Sequence, residues 1–122
     1  ENYQDYKNCI DICLQCASIC NYCASACTQE KDVSMMAECI RLDMECAALC
    51  YTTAQVMSID GKTVKDICRL SGDTASAAVW NVRSIKMNIV GNAQRSANAV
   101  LRSAGKWLRS GISRCQARFG IF

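Results

Sequence analysis

Apolar and polar positions recur with a helical period over the first 68 residues of the chain. In the segment "CIDICLQCASICNYCASAC", residues 9–27, cysteines recur at steps of four and three with mostly polar or small residues between them. Because an α-helix advances about 100° per residue, these steps keep all six side chains within an arc of about 80°. A strand would divide them between its two faces, because a step of three is odd. The pattern therefore predicts a helix over about residues 3–28.

Two further segments continue this pattern. Steps of seven and four mark one face of a second helix, which carries Cys39, Cys46 and Cys50. Three methionines can join that face, namely Met35, Met36 and Met57. Thr63 and Asp66 resemble a capping box that begins a third helix near residue 63, after Gly61. We expect the second helix over about 33–57, and the short polar links favour antiparallel neighbours.

The second half of the chain has almost no cysteine but keeps the spacing. Small apolar residues recur at steps of three and four, which is typical of the inner face of a helix. These residues are Ala75, Ala78, Val82, Val90, Ala93, Ala97, Val100 and Ala104. The pattern predicts helices over about 73–86 and 91–110. Residues 1–122 are therefore expected to form one all-α domain, an antiparallel up-down-up-down four-helix bundle.

Eleven cysteines in 122 residues, with no histidine and no proline, set the chemistry of this bundle. A secreted disulfide scaffold is disfavoured because the cysteine count is odd and because thiols stacked on one helix face suit disulfide geometry poorly. Free thiols indicate a reducing compartment, so the cytoplasm is the expected location. The chain begins with Glu1, which leaves an exported precursor as the alternative. No apolar run is long enough to predict a membrane span.

Ten of the cysteines lie at inward positions of the first 68 residues, which favours metal binding over packing alone. Leu, Ile and Val fill a core without the risk of oxidation, so plain packing is the weaker interpretation. Structural zinc sites usually take four ligands held by turns, and iron–sulfur clusters usually take cysteines from loops. A continuous ladder of thiols suits Cu(I), a soft ion that binds two or three sulfurs. Zinc or general soft-metal sequestration stays the alternative.

The segments "CIDICLQCASICNYCASAC", "DVSMMAECIRLDMECAALC" and "DICRL" resemble the bacterial cysteine-rich four-helix-bundle copper storage proteins. The resemblance covers residues 5 to about 70. It implies a bundle whose cysteines point into the core and bind several Cu(I) ions per chain. It also implies copper ions as the partner, with a copper donor as a further one, and a homo-oligomer, either a dimer or a tetramer.

By matching position, the resemblance assigns ten cysteines and two methionines to copper binding. The implied ligands are Cys9, Cys13, Cys16, Cys20, Cys23, Cys27, Cys39, Cys46, Cys50 and Cys68, together with Met35 and Met36. The two methionines are similar to those near the open end of the bundle, where copper would enter. Cys115 has no partner at the ladder spacing and is left outside the site.

Beyond residue 70 the family pattern stops and the charge reverses. Residues 1–68 carry 5 Lys/Arg and 10 Asp/Glu, whereas residues 69–122 carry 9 Lys/Arg and one Asp. Each small apolar residue of the inner face follows a residue that has a codon ending in T. The T that ends this codon, read together with the GC or GT that begins the following Ala or Val codon, gives TGC or TGT, and both of these encode cysteine. One lost base near Ser71 would therefore explain a frameshifted tail, and an ordinary helix core is the alternative.

The basic tail also suggests a function of another class. Residues 95–120 carry Trp107 and Phe119 among basic residues, as membrane-surface and nucleic-acid sites do. A solvated basic face is the simpler interpretation, so neither a nucleic-acid partner nor a membrane span is expected. A structural helical protein with a basic membrane-surface tail remains the third alternative.

No enzyme activity is expected, because a chain without histidine offers no Cys–His or Ser–His pair. Four carboxylates are expected on helix surfaces, Asp11, Asp43, Glu45 and Asp66.

Overall fold

The computed structural model describes residues 3–85 and 91–106, with side chains described over 3–83 and at part of 95–103. Four α-helices occupy these ranges: α1 Tyr3–Cys27, α2 Ala37–Ser58, α3 Val64–Ile85 and α4 Gly91–Lys106. Helices adjacent in sequence pack against each other, and α4 closes the ring against α1. The predicted antiparallel four-helix bundle is confirmed.

The helix boundaries follow the predicted ones with two differences. The second helix begins as a 3-10 turn, Val33–Met36, whose first turn is capped by Asp32: the Met35 N–H donates to its carboxylate. The third helix runs without a break through Gly72, whereas a separate helix from 73 was predicted. Residues 107–110 of the predicted fourth helix lie outside the described residues.

The turn between α2 and α3 fastens one end of the bundle. Asp60 has a left-handed backbone (φ 49°), and the Gly61 N–H donates to the Val56 carbonyl at 2.9 Å. This hydrogen bond is the one that defines a Schellman cap. The buried Tyr6 of α1 donates its hydroxyl to the Asp60 carboxylate at 3.2 Å. The start of α1 is thereby tied to a turn that lies 54 residues away in sequence.

The halves of the bundle fill the core differently. Cysteine is the most frequent buried residue of α1 and α2. After Cys68, the inner positions of α3 and α4 carry small residues instead, namely Ser71, Ala75, Ala78, Val82, Ala97 and Val100. The side chains of Val90, Ala93 and Ala104 lie outside the described residues. The Thr53 and Ser71 hydroxyls meet at 2.6 Å and join α2 to α3. The small inner face predicted for the tail is confirmed where it is described.

One helix differs from the expectation about membrane spans. By length and mean hydropathy alone, α1 is long and apolar enough to cross a bilayer. Half of the most apolar stretch of α1 is buried against the other helices, and the core helix of a bundle can be equally long and apolar.

Candidate metal centre

Every cysteine in the described residues carries a free, buried thiol. Burial follows from the spacing, because steps of four and three hold the thiols on the inner face of each helix. Six lie on α1, three on α2 and one on α3. Thiols of two antiparallel helices therefore face each other along the bundle axis.

Three of these thiols form what we call the end cluster, Cys23, Cys27 and Cys39. It lies where α1 ends and α2 begins, since Cys27 is the last residue of α1. The sulfur atoms all lie within 4.8 Å of one another. Cys27 Sγ is 4.0 Å from Cys23 Sγ and 3.8 Å from Cys39 Sγ. Two helices thus supply one compact set of three sulfur ligands.

A second group, which we call the central cluster, lies farther along the core. Its members are Cys16 and Cys20 of α1 and Cys46 of α2, and their sulfur atoms also lie within 4.8 Å of one another. Cys50, one helical turn beyond Cys46, contributes to the electrostatics of Cys16. The remaining predicted ligands are buried towards the Tyr6 end of the core but join neither cluster: Cys9, Cys13 and Cys68.

Hydrogen bonding within each cluster separates the pKa values of its thiols. In the central cluster, the hydrogen bonds with Cys20 and then Cys46 hold the pKa of Cys16 far below its usual range. The same contact, with Cys16 as its first cause, raises the pKa of Cys20. In the end cluster, Cys23 and then Cys39 lower the pKa of Cys27 to about 4. Each cluster therefore contains one thiol, Cys16 or Cys27, whose ionised form is stabilised by hydrogen bonds from neighbouring thiols.

The prediction that Asp43 lies on the helix surface is wrong. Its exposed fraction is 0%, and it stands four residues after Cys39 and three before Cys46, in the position of a ladder cysteine. The Cys39 thiol donates to Asp43 Oδ2 at 3.6 Å, while Oδ1 has no hydrogen-bond partner among the described residues. Burial, and then the nearby Cys23, raises the pKa of Asp43 to about 9. The end cluster thus has an uncharged carboxyl group beside it at neutral pH. The 4-3-4 spacing of Cys39, Asp43, Cys46 and Cys50 was the sequence signal that places Asp43 on the inner face of α2.

The two methionines predicted to bind copper occupy different environments. Met36 is fully buried, whereas Met35 is 43% exposed. Adjacent residues in this 3-10 turn point in directions about 120° apart, and Met35 is turned towards solvent while Met36 faces the core. Met57 is buried at the opposite end of α2. Cys115 lies outside the described residues.

Comparison with known proteins agrees with this architecture. Residues 2–106 match the family of copper storage proteins, so the expectation that the resemblance stops near residue 70 is wrong. An uncharacterised cysteine-rich protein of Bacillus subtilis is 38% identical over 69 residues, which is 57% of this chain and 64% of that protein. This chain therefore matches less than two thirds of that relative's length.

Solved structures give the same fold over most of the chain. A cytosolic copper storage protein from Streptomyces lividans superposes with a TM-score of 0.78 at 24% identity, covering 97% of this chain and 94% of that one. The Cu(I)-bound copper storage protein BsCsp3 superposes with a TM-score of 0.70 at 27% identity, covering 93% and 96%. The first of these similarities supports the bundle alone, because its sequence identity is low.

Proposed function

Because the chain belongs to the copper storage protein family, we propose that it stores several Cu(I) ions per chain as thiolate complexes inside the bundle. The observation that carries the proposal is the pair of buried three-thiol clusters. Cu(I) is soft and binds thiolates in low coordination numbers, which three converging sulfurs can supply. The proposed role is storage, and no catalytic step is proposed.

We assign the ten described cysteines as copper ligands, with the two clusters as the strongest sites. Cys50 lies beside the central cluster, and the ladder continues through the other buried thiols. Met36 is buried near the end cluster, where it can act as a thioether ligand. Met35 is exposed at the same end of the bundle and can contact copper as it arrives. The carboxyl of Asp43 offers one harder oxygen ligand beside the end cluster.

Zinc sequestration is the second candidate, and the geometry favours copper. Structural zinc takes four ligands in a closed tetrahedron, whereas each cluster brings three sulfur atoms together. Reducing conditions keep the thiols free, so the proposed location is the cytoplasm. Assembly as a homo-oligomer and delivery by a copper donor belong to the same proposal.

The second half of the bundle holds fewer ligands than the first. The described parts of α3 and α4 contribute Cys68 alone, so ions should lie within α1 or between α1 and α2. The frameshift proposed for residues 71–122 accounts for this asymmetry, since Ser71 and the small residues after it occupy inner positions of the same ladder.

Anaerobic titration of the reduced protein with Cu(I), followed by ultraviolet absorbance, tests the proposal. The thiolate-to-copper absorption should grow until several ions are bound per chain, and binding should release protons because each ligand thiol ionises. A parallel titration with Zn²⁺ should saturate at fewer ions. Binding of one Cu(I) or none contradicts the storage function, and stronger, more numerous zinc binding would favour the second candidate.

A further inference from the structure

A groove of about 320 Å³ opens between α1 and α4, midway along the bundle. It is lined by Gln15, Ile19, Ala99, Arg102 and Ser103. Gln15 and Arg102 are exposed at its rim, and Ile19 and Ala99 are half-buried along its walls. Ser103 is 6% exposed, which places it at the floor. This is the volume of a small-molecule site rather than of a protein interface.

The floor of the groove borders the central cluster. Ser103 Oγ is buried and has no hydrogen-bond partner among the described residues. Cys20 of the central cluster directly follows Ile19 of the groove wall. Cys16 directly follows Gln15 of the rim. The groove therefore lies along the same stretch of α1 that carries two thiols of the central cluster.

The rim of the groove carries positive charge. Arg102 is the charged residue among those that line it. The described ion pairs join Lys7 to Asp11, Arg41 to Glu38 and Arg69 to Asp66, and leave the Arg102 guanidinium to solvent. A guanidinium group with a planar set of donors is well suited to a carboxylate. A small anion with carboxylate groups is the ligand class that this rim favours.

We propose that this groove admits small anionic Cu(I)–thiolate complexes and passes their copper to Cys16. The inference rests on the proposed storage function and adds the chemical class of the copper carrier. Arg102 attracts the carrier's carboxylate, and the unpaired Ser103 hydroxyl together with the Gln15 amide supplies hydrogen bonds at the floor and rim. This route reaches the central cluster from the side, without passing the bundle end that carries Met35 and Met36.

The transfer is a ligand exchange in which copper remains Cu(I). The Cu–S bond to the carrier breaks as a Cu–Sγ bond to Cys16 forms. Cys16 attacks as its thiolate, and the carrier sulfur departs as a thiolate, so charge and electrons balance without a proton transfer. Cys20 and Cys46 then complete the three-sulfur site, since their sulfur atoms lie within 4.8 Å of Cys16 Sγ.

Stopped-flow absorbance at low ionic strength tests the route, with a preformed Cu(I)–glutathione complex as the probe. Arg102→Glu should slow copper uptake roughly tenfold, because it replaces attraction of the anion by repulsion. The matched control is Arg83→Glu, which makes the same charge change at an exposed position on α3 that does not line the groove. Ala99→Trp, which fills the groove, should slow uptake at any salt concentration. Cationic Cu(I)–acetonitrile should load Arg102→Glu at least as fast as the wild type.

Equal uptake rates in the wild type, Arg102→Glu and Ala99→Trp overturn the side route. Slowing by Arg83→Glu but not by Arg102→Glu also overturns it and moves the uptake site to the bundle end. All folded variants should reach the same copper content at equilibrium, and circular dichroism verifies their fold. A wild type that takes up no copper from either complex contradicts storage itself, which is a separate result from equal rates.

Discussion

Replacing Asp43 by Asn should stabilise the metal-free protein increasingly as the pH rises. Asp43 is fully buried between two ladder cysteines, and its Oδ1 atom lacks a hydrogen-bond partner among the described residues. Burial is the main reason that its pKa rises from 3.8 to about 9. Asn has nearly the same shape as the protonated carboxyl group and cannot ionise, so it isolates the cost of the charge.

The magnitude follows from proton linkage. Between about pH 5 and pH 8 the unfolded chain carries an ionised Asp43, whereas the folded chain keeps the proton. Folding therefore takes up one proton at Asp43. The contribution of Asp43 to the free energy of unfolding is at its maximum below pH 3.8, and it is lost as the pH rises towards about 9. One proton corresponds to about 1.4 kcal/mol per pH unit. The stability difference between Asp43→Asn and the wild type should thus grow by about 4 kcal/mol from pH 5 to pH 8.

Urea unfolding of the reduced, metal-free proteins, followed by circular dichroism at several pH values, measures this slope. Thiol ionisation occurs in both proteins, so only the part that is coupled to Asp43 remains in the difference. Glu45→Gln, at an exposed position two residues along α2, is the matched control, because it removes one carboxyl group from the surface and none from the core. A difference between Asp43→Asn and the wild type that does not change with pH would refute the proposed protonated state of Asp43.

Four further predictions concern the ends of the bundle, the clusters and the tail. Cys27→Ala breaks the end cluster and should reduce the copper content measured in an anaerobic titration, while the central cluster still loads. Tyr6→Phe removes the hydrogen bond to the α2–α3 turn and should lower the free energy of unfolding in urea by about 1 kcal/mol. Replacing Met35 and Met36 together by Leu should slow copper uptake in stopped flow and leave capacity nearly unchanged; lost capacity at a normal rate would make them internal ligands instead. Gene sequencing should find codons ending in T before each small inner residue of the tail, and restoring one base near Ser71 should raise copper capacity; a different codon ending at these positions rules out the frameshift.

The helices could be predicted because the cysteines recur at steps of three and four residues, which match the turn of about 3.6 residues in an α-helix. The predicted break between two helices near residue 73 is absent, because one glycine inside a helix costs only about 1 kcal/mol of stability. Here Gly72 is flanked by the buried Ser71 and, one turn later, the buried Ala75, so packing on both sides offsets that cost. The 3-10 start of the second helix depends on a local hydrogen bond to Asp32, which spacing alone does not reveal.

The inward positions of the cysteines could be predicted from their spacing, but their grouping into clusters could not. Spacing places Cys39 and Cys27 on inner faces, but their 3.8 Å separation depends on how far α2 is shifted along α1. Asp43 was missed because a carboxylate is normally exposed; burial is possible because the group keeps its proton and accepts a hydrogen bond from Cys39. The groove between α1 and α4 joins residues that are far apart in sequence, so no local pattern predicts it.

Copper K-edge X-ray absorption on protein loaded anaerobically with several equivalents of Cu(I) tests the storage core most directly. The proposal predicts an edge typical of Cu(I), a first shell dominated by two or three sulfur atoms, and neighbouring copper atoms that appear as the clusters fill. A first shell dominated by nitrogen or oxygen, or copper that washes away on gel filtration, would contradict storage by the buried thiols.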